Sequence, residues 1–303
     1  MKTPVAFFIF NRPDLTNIVF SEIRRAQPER LFVIADGPRD SEPQDAHRCK
    51  SARDILKSID WDCEVATNLS DTNMGMGLRQ ASGMSWVLNQ VDRAIFLEDD
   101  TKPHPCFFRF CEELLDYYEN DESVMSISGT NTLRNAINFR ESYYFSRYPR
   151  PWGWASWKRA WDHYDVKISD WPEKRDQILS TFNEKRERKF WKTSFDRIYD
   201  GDLFTWDHQW RYALFKCQGL AITPSVNLIS NIGFGKNATH TRETTSPFSN
   251  LPTHSLDFPL VHPEERKVNH RADAIVAKHF FSGNYLVWKF WRLVARAKMV
   301  PGK

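Results

Sequence analysis

Three adjacent carboxylates, Glu98, Asp99 and Asp100, follow directly on the apolar run Ala94-Ile95-Phe96-Leu97. Like charges at neighbouring positions repel, so the cluster costs free energy unless a cation or hydrogen-bond donors share its charge. Solvated acidic loops are common, but an acid triplet at the end of a buried strand suits a divalent-cation site. Hard cations such as Mg2+ and Mn2+ take oxygen ligands, typically one or two carboxylates, with substrate phosphates completing the shell.

Other phosphate signatures are missing. The chain has no GxxxxGK[ST] loop, no HExxH and no GxSxG. In "MGMGLRQ", Gly75 and Gly77 stand like the first two glycines of a dinucleotide fingerprint, but Gln80 occupies the third position. A carboxylate-held metal is the phosphate-handling device that remains. The formal net charge of +3 is too small to indicate a nucleic-acid partner. Five cysteines with no CxxC pair suit free thiols in a reducing compartment. Of 12 tryptophans, those from Trp152 to Trp210 are crowded into one segment. They suit either a dense core or a surface on which the apolar face of a sugar stacks, with Trp152, Trp154 and Trp206 the candidates.

The elements that would position these groups alternate along the first half. "VAFFIF" (5–10), "LFVIAD" (31–36), "CEVAT" (63–67), "AIFL" (94–97) and "VMSISG" (124–129) read as strands. Helices are expected after Asn11, with Pro13 in the first turn, and over 44–59, 77–91 and 105–120. This order predicts an α/β fold with a doubly wound, mostly parallel, Rossmann-like sheet, whose ligand site lies beyond the carboxyl ends of the strands. Asn11-Arg12, Asp36-Gly37 and the acid triplet each follow a strand and should converge there. From Arg134 the pattern turns irregular and aromatic, with a charged helix near 173–199. From about Ala274 a basic, aromatic amphipathic helix follows, suited to docking on protein or to lying at a membrane surface.

In that order the pieces resemble nucleotide-sugar glycosyltransferases of the GT-A fold. "FLEDDTKPHPCFFRF" resembles the acidic motif of N-acetylglucosaminyltransferase I and its relatives. "RPWGWASWKRAW", "FTWDHQWR" and "NLISNIGFGKNATHT" resemble later segments of that family. The general look of bacterial surface-polysaccharide glycosyltransferases is also present. The resemblance covers residues 3 to 243. It implies Asp100 as a direct ligand of Mn2+ or Mg2+, with Asp99 and Glu98 on the ribose and donor sugar and Asp36 facing a uracil-like base. Asn11, Arg12 and Arg79 would meet base or phosphate, although either arginine could equally be a surface residue. Lys236 would meet the diphosphate, and His240 would be a second metal ligand or a phosphate contact. Asp207 would be the general base of an inverting transfer, flanked by Trp206 and Trp210, with Asp202 and His208 as rivals.

The implied organisation is a nucleotide-sugar half (1–130), an acceptor and catalytic half (131–245) and a C-terminal extension (246–303). The implied partners are a nucleotide-diphosphate sugar, UDP-sugar favoured, and a glycan or glycolipid acceptor. The chain lacks a signal anchor, so the expectation is a cytoplasmic enzyme, with peripheral contact to the inner membrane through its last helix. Two other readings compete: a sugar-nucleotide pyrophosphorylase, whose usual glycine-rich loop after the first strand is missing from "FNRPDLTNI", and a non-catalytic sugar-binding scaffold.

Overall fold

The computed structural model describes residues 1–133, 136–234, 246 and 248–281. In chain order the strands are β1 (Val5–Ile9), β2 (Arg30–Ala35), β3 (Glu64–Leu69), β4 (Arg93–Glu98), β5 (Thr101–Pro103), β6 (Val124–Ser128), β7 (Tyr143–Ser146), β8 (Trp154–Trp157), β9 (Leu220–Pro224) and β10 (Ile229–Asn231). The helices are α1 (Pro13–Ala26), α2 (Asp45–Arg53), α3 (Met76–Leu88), α4 (Cys106–Tyr117), α5 (Lys158–Trp161), α6 (Trp171–Ser180), α7 (Lys185–Tyr199), α8 (Asp207–Cys217) and α9 (His270–Phe280).

Eight strands form one sheet in the order β3-β2-β1-β4-β8-β6-β9-β7, and β10 pairs with β5 in a separate ribbon. β1, β2, β3 and β4 pair in parallel. β8 runs antiparallel between β4 and β6, and β9 is again parallel to β6. Only β8 and β7 therefore oppose the common direction, and the fold is the α/β, mostly parallel sheet anticipated. The register places β8, from the second half of the chain, against β4 of the first, so one sheet spans both.

The chain reverses its direction of growth between β1 and β4, since β2 lies on one side of β1 and β4 on the other. Such a switch point leaves a crevice beyond the strand ends. Arg12 follows β1 and the acid triplet follows β4, so both flank that crevice.

Two cores cover the sheet faces. One joins β1, β2 and β4 to α1 and α4 through Val19, Phe107, Phe110 and Leu114. The other joins the opposite face to α3, α5 and α8 through Met84, Trp161, Trp210 and Leu214. A third cluster packs α6, α7, α8 and α9 together around Trp171, Trp191 and Phe195. The tryptophan surplus thus builds core: of the eight from Trp152 to Trp210, all but Trp152 are buried.

The 44–59 segment ends as a 3-10 turn over Asp54–Ser58. The single charged helix expected at 173–199 is two, α6 and α7. The break falls where Phe182 turns into the core and the carbonyls of Thr181 and Phe182 accept from Arg147 and Arg188 instead of continuing a helical ladder. α9 starts at an Asn269 cap, whose Oδ1 accepts from the Ala272 N–H at 3.0 Å. Its Ala272, Val276 and Ala277 pack into the third cluster, so this part of the C-terminal helix docks on its own domain. The rest of the basic, aromatic segment lies outside the described residues. No helix among the described residues is long and apolar enough to cross a membrane.

Candidate active site

A cleft of about 460 Å³ opens at the switch point. Its walls bring together Arg12, Asp36, Arg79, Glu98, Asp99, Asp100, Trp152, Trp206 and Asp207 from the sequence expectation. Asn11 and Trp154 are not on its walls, and Lys236 and His240 lie outside the described residues.

Arg12 dominates the acid cluster. Its Nη2 bonds Asp99 Oδ1, its Nε reaches Asp99 Oδ2 at 3.3 Å and its Nη1 reaches Asp100 Oδ2 at 2.9 Å. A planar fork spanning two carboxylates is the geometry for which guanidinium is suited. Burial works to lower the Arg12 pKa, but Asp99 and Asp100 outweigh it and the pKa is raised. Burial and Asp100 push Asp99 up to about 6, against the pull of Arg12. Glu98 is different. Its N–H and C=O both bond Thr101 Oγ1, at 2.8 and 3.0 Å, while its carboxylate takes no hydrogen bond among the described residues. Burial, then Asp100 and Asp99, raise its pKa well above the usual glutamate range.

Asp100 is held from behind. Its C=O accepts from the Ile232 N–H at 2.8 Å, where the β5–β10 ribbon brings the late segment alongside. Gly233 sits against the Asp100 side chain so closely that a Cβ would collide with its Oδ2. The described chain thus passes Asp100 just before the segment that carries Lys236 and His240.

Asp207 begins α8, where the helix dipole favours a negative charge. Its Oδ1 accepts from Thr205 Oγ1 and its Oδ2 from Arg211 Nη1, one turn on. Burial alone would raise its pKa, but Arg211, His208 and Thr205 outweigh burial and hold the carboxyl well below the usual carboxylate range. Glu98 also feels its charge, so the two carboxylate systems share the cleft. Of the rivals, Asp202 is exposed on the turn after α7. His208 packs against Phe190 and Trp191, with burial lowering its pKa and its Nδ1 left without a partner. Neither is on the cleft walls.

Several expectations need correcting. Trp154 is 2% exposed, lies between Phe96 and Trp206 in stacked contacts and touches Trp210, so it has no face left for a sugar. Trp206 reaches the cleft but is itself 3% exposed and stacks on Trp154, which leaves little ring surface for a sugar. Trp152 alone of the three is half-buried beside the cleft, with its ring edge-on to Phe234 at 5.9 Å. Asn11 Nδ2 is turned away to Asp45 Oδ1 at 2.6 Å.

Asp36 is on the wall but already occupied. Its Oδ1 accepts from the N–H groups of Gly37 (2.9 Å) and Met74 (2.8 Å). Its Oδ2 accepts from Gly75 N–H (3.0 Å) and Asn73 Nδ2 (3.1 Å). A carboxylate offers about four acceptor directions, so none remains for a base. Asp36 instead fastens the 72–75 loop to the strand end. Gly37 is needed there because a Cβ would collide with the Thr72 backbone.

Among the polar side chains on the cleft wall, sequence reading missed Arg39, Asn73, Gln80 and Asn231. Arg39, whose Nε reaches Asp45 Oδ2 at 2.6 Å, follows Asp36-Gly37 by two residues, a legible position. Asn231 lies in the quoted "NLISN" segment. Asn73 was hidden, because its place depends on the Asp36 clamp. Arg79 is buried and among the described residues has no carboxylate partner, donating to Asn68 Oδ1 at 2.9 Å and to the Asn68 carbonyl.

No family model matches the chain, and no curated protein matches it. Among solved structures it is similar to S. aureus TarS residues 1–349, with 10% identity and a TM-score of 0.39 over 74% of this chain and 58% of that one. It is also similar to UDP-glucose pyrophosphorylase complexed with UDP-glucose, with 12% identity and a TM-score of 0.38, over 74% and 90% of the two chains. CMP:2-keto-3-deoxy-manno-octonic acid synthetase complexed with CTP is a further match, with 12% identity and a TM-score of 0.35, over 73% and 89%. The chain therefore spans 58% of the length of the TarS chain it matches.

Proposed function

We propose that the protein is a glycosyltransferase, moving a sugar with inversion from a nucleotide-diphosphate donor, UDP-sugar favoured, to a hydroxyl of a glycan or glycolipid. The observation that carries this reading is that Asp207 and the Glu98-Asp99-Asp100 cluster, over a hundred residues apart, line one cleft at the switch point of the sheet.

The donor set fits Mn2+ or Mg2+. Asp100 lines the cleft, and the Glu98 carboxylate takes no hydrogen bond among the described residues. Among the described residues no group of three or more His, Cys, Asp or Glu ligands is assembled, so a cation here would take one or two carboxylates and complete its shell with phosphates and water. Bound there, such a cation supplies Lewis-acid neutralisation of the charge on the leaving diphosphate.

The chain's own residues carry the remaining steps. Arg12 and Arg79 offer cationic groups to the donor's phosphates or base. Asp207 takes the proton of the acceptor hydroxyl as that oxygen bonds to the anomeric carbon. The bond from that carbon to the diphosphate breaks at the same time, and its electron pair leaves with the phosphate oxygen. Asp207 is ionised at neutral pH and so ready to accept, but Arg211 makes it a weak base. Its proton transfer therefore belongs late in the step, when the attacking oxygen has become acidic.

Calorimetric titration of UDP-, GDP-, CMP- and dTDP-sugars with and without Mn2+ tests donor binding, followed by assay of free nucleotide diphosphate with candidate acceptors. Mn2+-dependent binding and release of UDP supports the reading. Formation of UTP and sugar 1-phosphate on adding pyrophosphate replaces it with a pyrophosphorylase, and no binding of any donor replaces it with a scaffold.

A further inference from the structure

Near Arg211, the partner of Asp207, lies a second buried guanidinium that the proposed reaction does not use. Arg150 is 7% exposed, and among the described residues it makes one side-chain hydrogen bond, from Nη2 to Thr132 Oγ1 at 3.3 Å. The Phe280 ring covers it, with the guanidinium carbon 4.5 Å from the ring centre. No carboxylate among the described residues pairs with it. Asp207 is taken by Arg211 and Thr205. Asp273 is taken by Ser146 Oγ at 2.5 Å and by the Arg147 N–H at 2.9 Å, and Glu187 by Tyr148 and Trp191.

A guanidinium carries five N–H donors, and an enclosed cation with no carboxylate in hydrogen-bond contact is costly. Burial, with the like charge of Arg211, brings the Arg150 pKa down to about 10, against the through-space pull of Asp273. The side chain is enclosed, but the two residues that follow it, Pro151 and Trp152, reach the cleft wall.

Its position is informative. The Arg150 N–H bonds Ser128 Oγ at 2.9 Å, at the end of β6. The next two residues, Pro151 and Trp152, form cleft wall, and Thr130 Oγ1 holds the Trp152 carbonyl at 2.8 Å. Arg150 therefore lies next to the Pro151-Trp152 stretch of cleft wall and near Arg211, the partner of Asp207.

We propose that Arg150 is the centre of a second anion-binding subsite, formed with Thr132, that holds a phosphate or carboxylate group of the acceptor. The word "acceptor" rests on the glycosyltransferase reading; the anion site itself does not. An acceptor anchored through an oxyanion beside Asp207 would have a neighbouring hydroxyl fixed for attack, which is positioning through binding energy.

The test is titration of inorganic phosphate, methyl phosphate and acetate into the full chain, with UDP and Mn2+ absent and then saturating. Phosphate binding that persists under saturating UDP, weakens about tenfold or more in Arg150→Met and is largely retained in Arg150→Lys is the expected result. The UDP affinity of Arg150→Met should equal that of the parent. Preference for methyl phosphate over acetate identifies a phosphorylated acceptor, and the reverse a uronic-acid type. Equal phosphate binding by parent and Arg150→Met overturns the proposal, as does phosphate displaced by UDP. Should Arg150→Met fail to fold, equal phosphate binding by Arg150→Gln and the parent overturns it as well. Should UDP not bind at all while Arg150-dependent phosphate binding remains, the anion site stands and the nucleotide-sugar reading falls.

Discussion

Arg12 Nη1 lies 2.9 Å from Asp100 Oδ2, although the two residues are 88 positions apart. The contact exists because β1 and β4 are neighbours at the switch point, so the residues that follow them meet. Arg12 thus neutralises the carboxylates that the proposed divalent cation would also seek, so the two cations would compete. Arg12→Ala should lose about 3 kcal/mol of stability, because a largely buried carboxylate pair is left uncompensated. It should also bind Mn2+ more tightly than the parent and regain stability when Mn2+ is added. Urea midpoints with and without Mn2+ check this; an Arg12→Ala protein indifferent to Mn2+ contradicts the competition.

Asp100→Ala should abolish Mn2+-dependent donor binding, and Gly233→Ala should weaken it by displacing the Asp100 carboxylate without removing it. Calorimetry separates the two, since Gly233→Ala should retain residual Mn2+ dependence. Normal titrations for Asp100→Ala remove it as a metal ligand.

Asp207→Asn should fold and bind donor with near-parent affinity, while turnover falls about 10²–10⁴-fold. Comparable turnover would hand the base role to another group. Because the folded Asp207 pKa is depressed, its stabilising contribution is present above the pKa of an unfolded aspartate, about 4, and is lost as pH falls below it. Asp207→Asn should therefore narrow the stability difference between neutral and acidic solution.

Glu98 has the opposite sign. Its folded pKa is raised, so the folded protein keeps a proton that an unfolded glutamate has released. The resulting cost is absent in acid and grows as pH rises through the folded value. Glu98→Gln should be more stable than the parent at about pH 7.5 and close to it at about pH 4. Denaturant midpoints at both pH values check the sign. Cation binding at Glu98 should also release protons, measurable by calorimetry in buffers of different ionisation enthalpy.

Asp36→Ala frees three donors of the 72–75 loop and the Gly37 N–H, and should cost about 2–3 kcal/mol. Proteolysis should then cut near Asp71–Met74, and donor affinity should fall for every base alike. A selective loss of uracil binding would return Asp36 to the role of base reader.

Much of this site was legible in the chain order. Strand-like runs ending in Asn11-Arg12, Asp36-Gly37 and Glu98-Asp99-Asp100 place those groups at one sheet edge, because hydrophobic periodicity is local and the crossover rule is general. The Asp207–Arg211 pair is also a local matter, a helical spacing of four. What sequence could not decide was which partner each group takes. Whether a tryptophan packs core or meets a sugar depends on what lies on both of its faces, and Trp154 meets Phe96 and Trp206 from distant segments. Whether Asp36 is free depends on a loop folding back from past β3. Arg12 closes on Asp100, and Arg150 is left with no carboxylate among the described residues, only because separate strands bring their neighbours together. Composition and spacing set the types of group at the site; three-dimensional packing decided which charges were satisfied and which, among the described residues, were not.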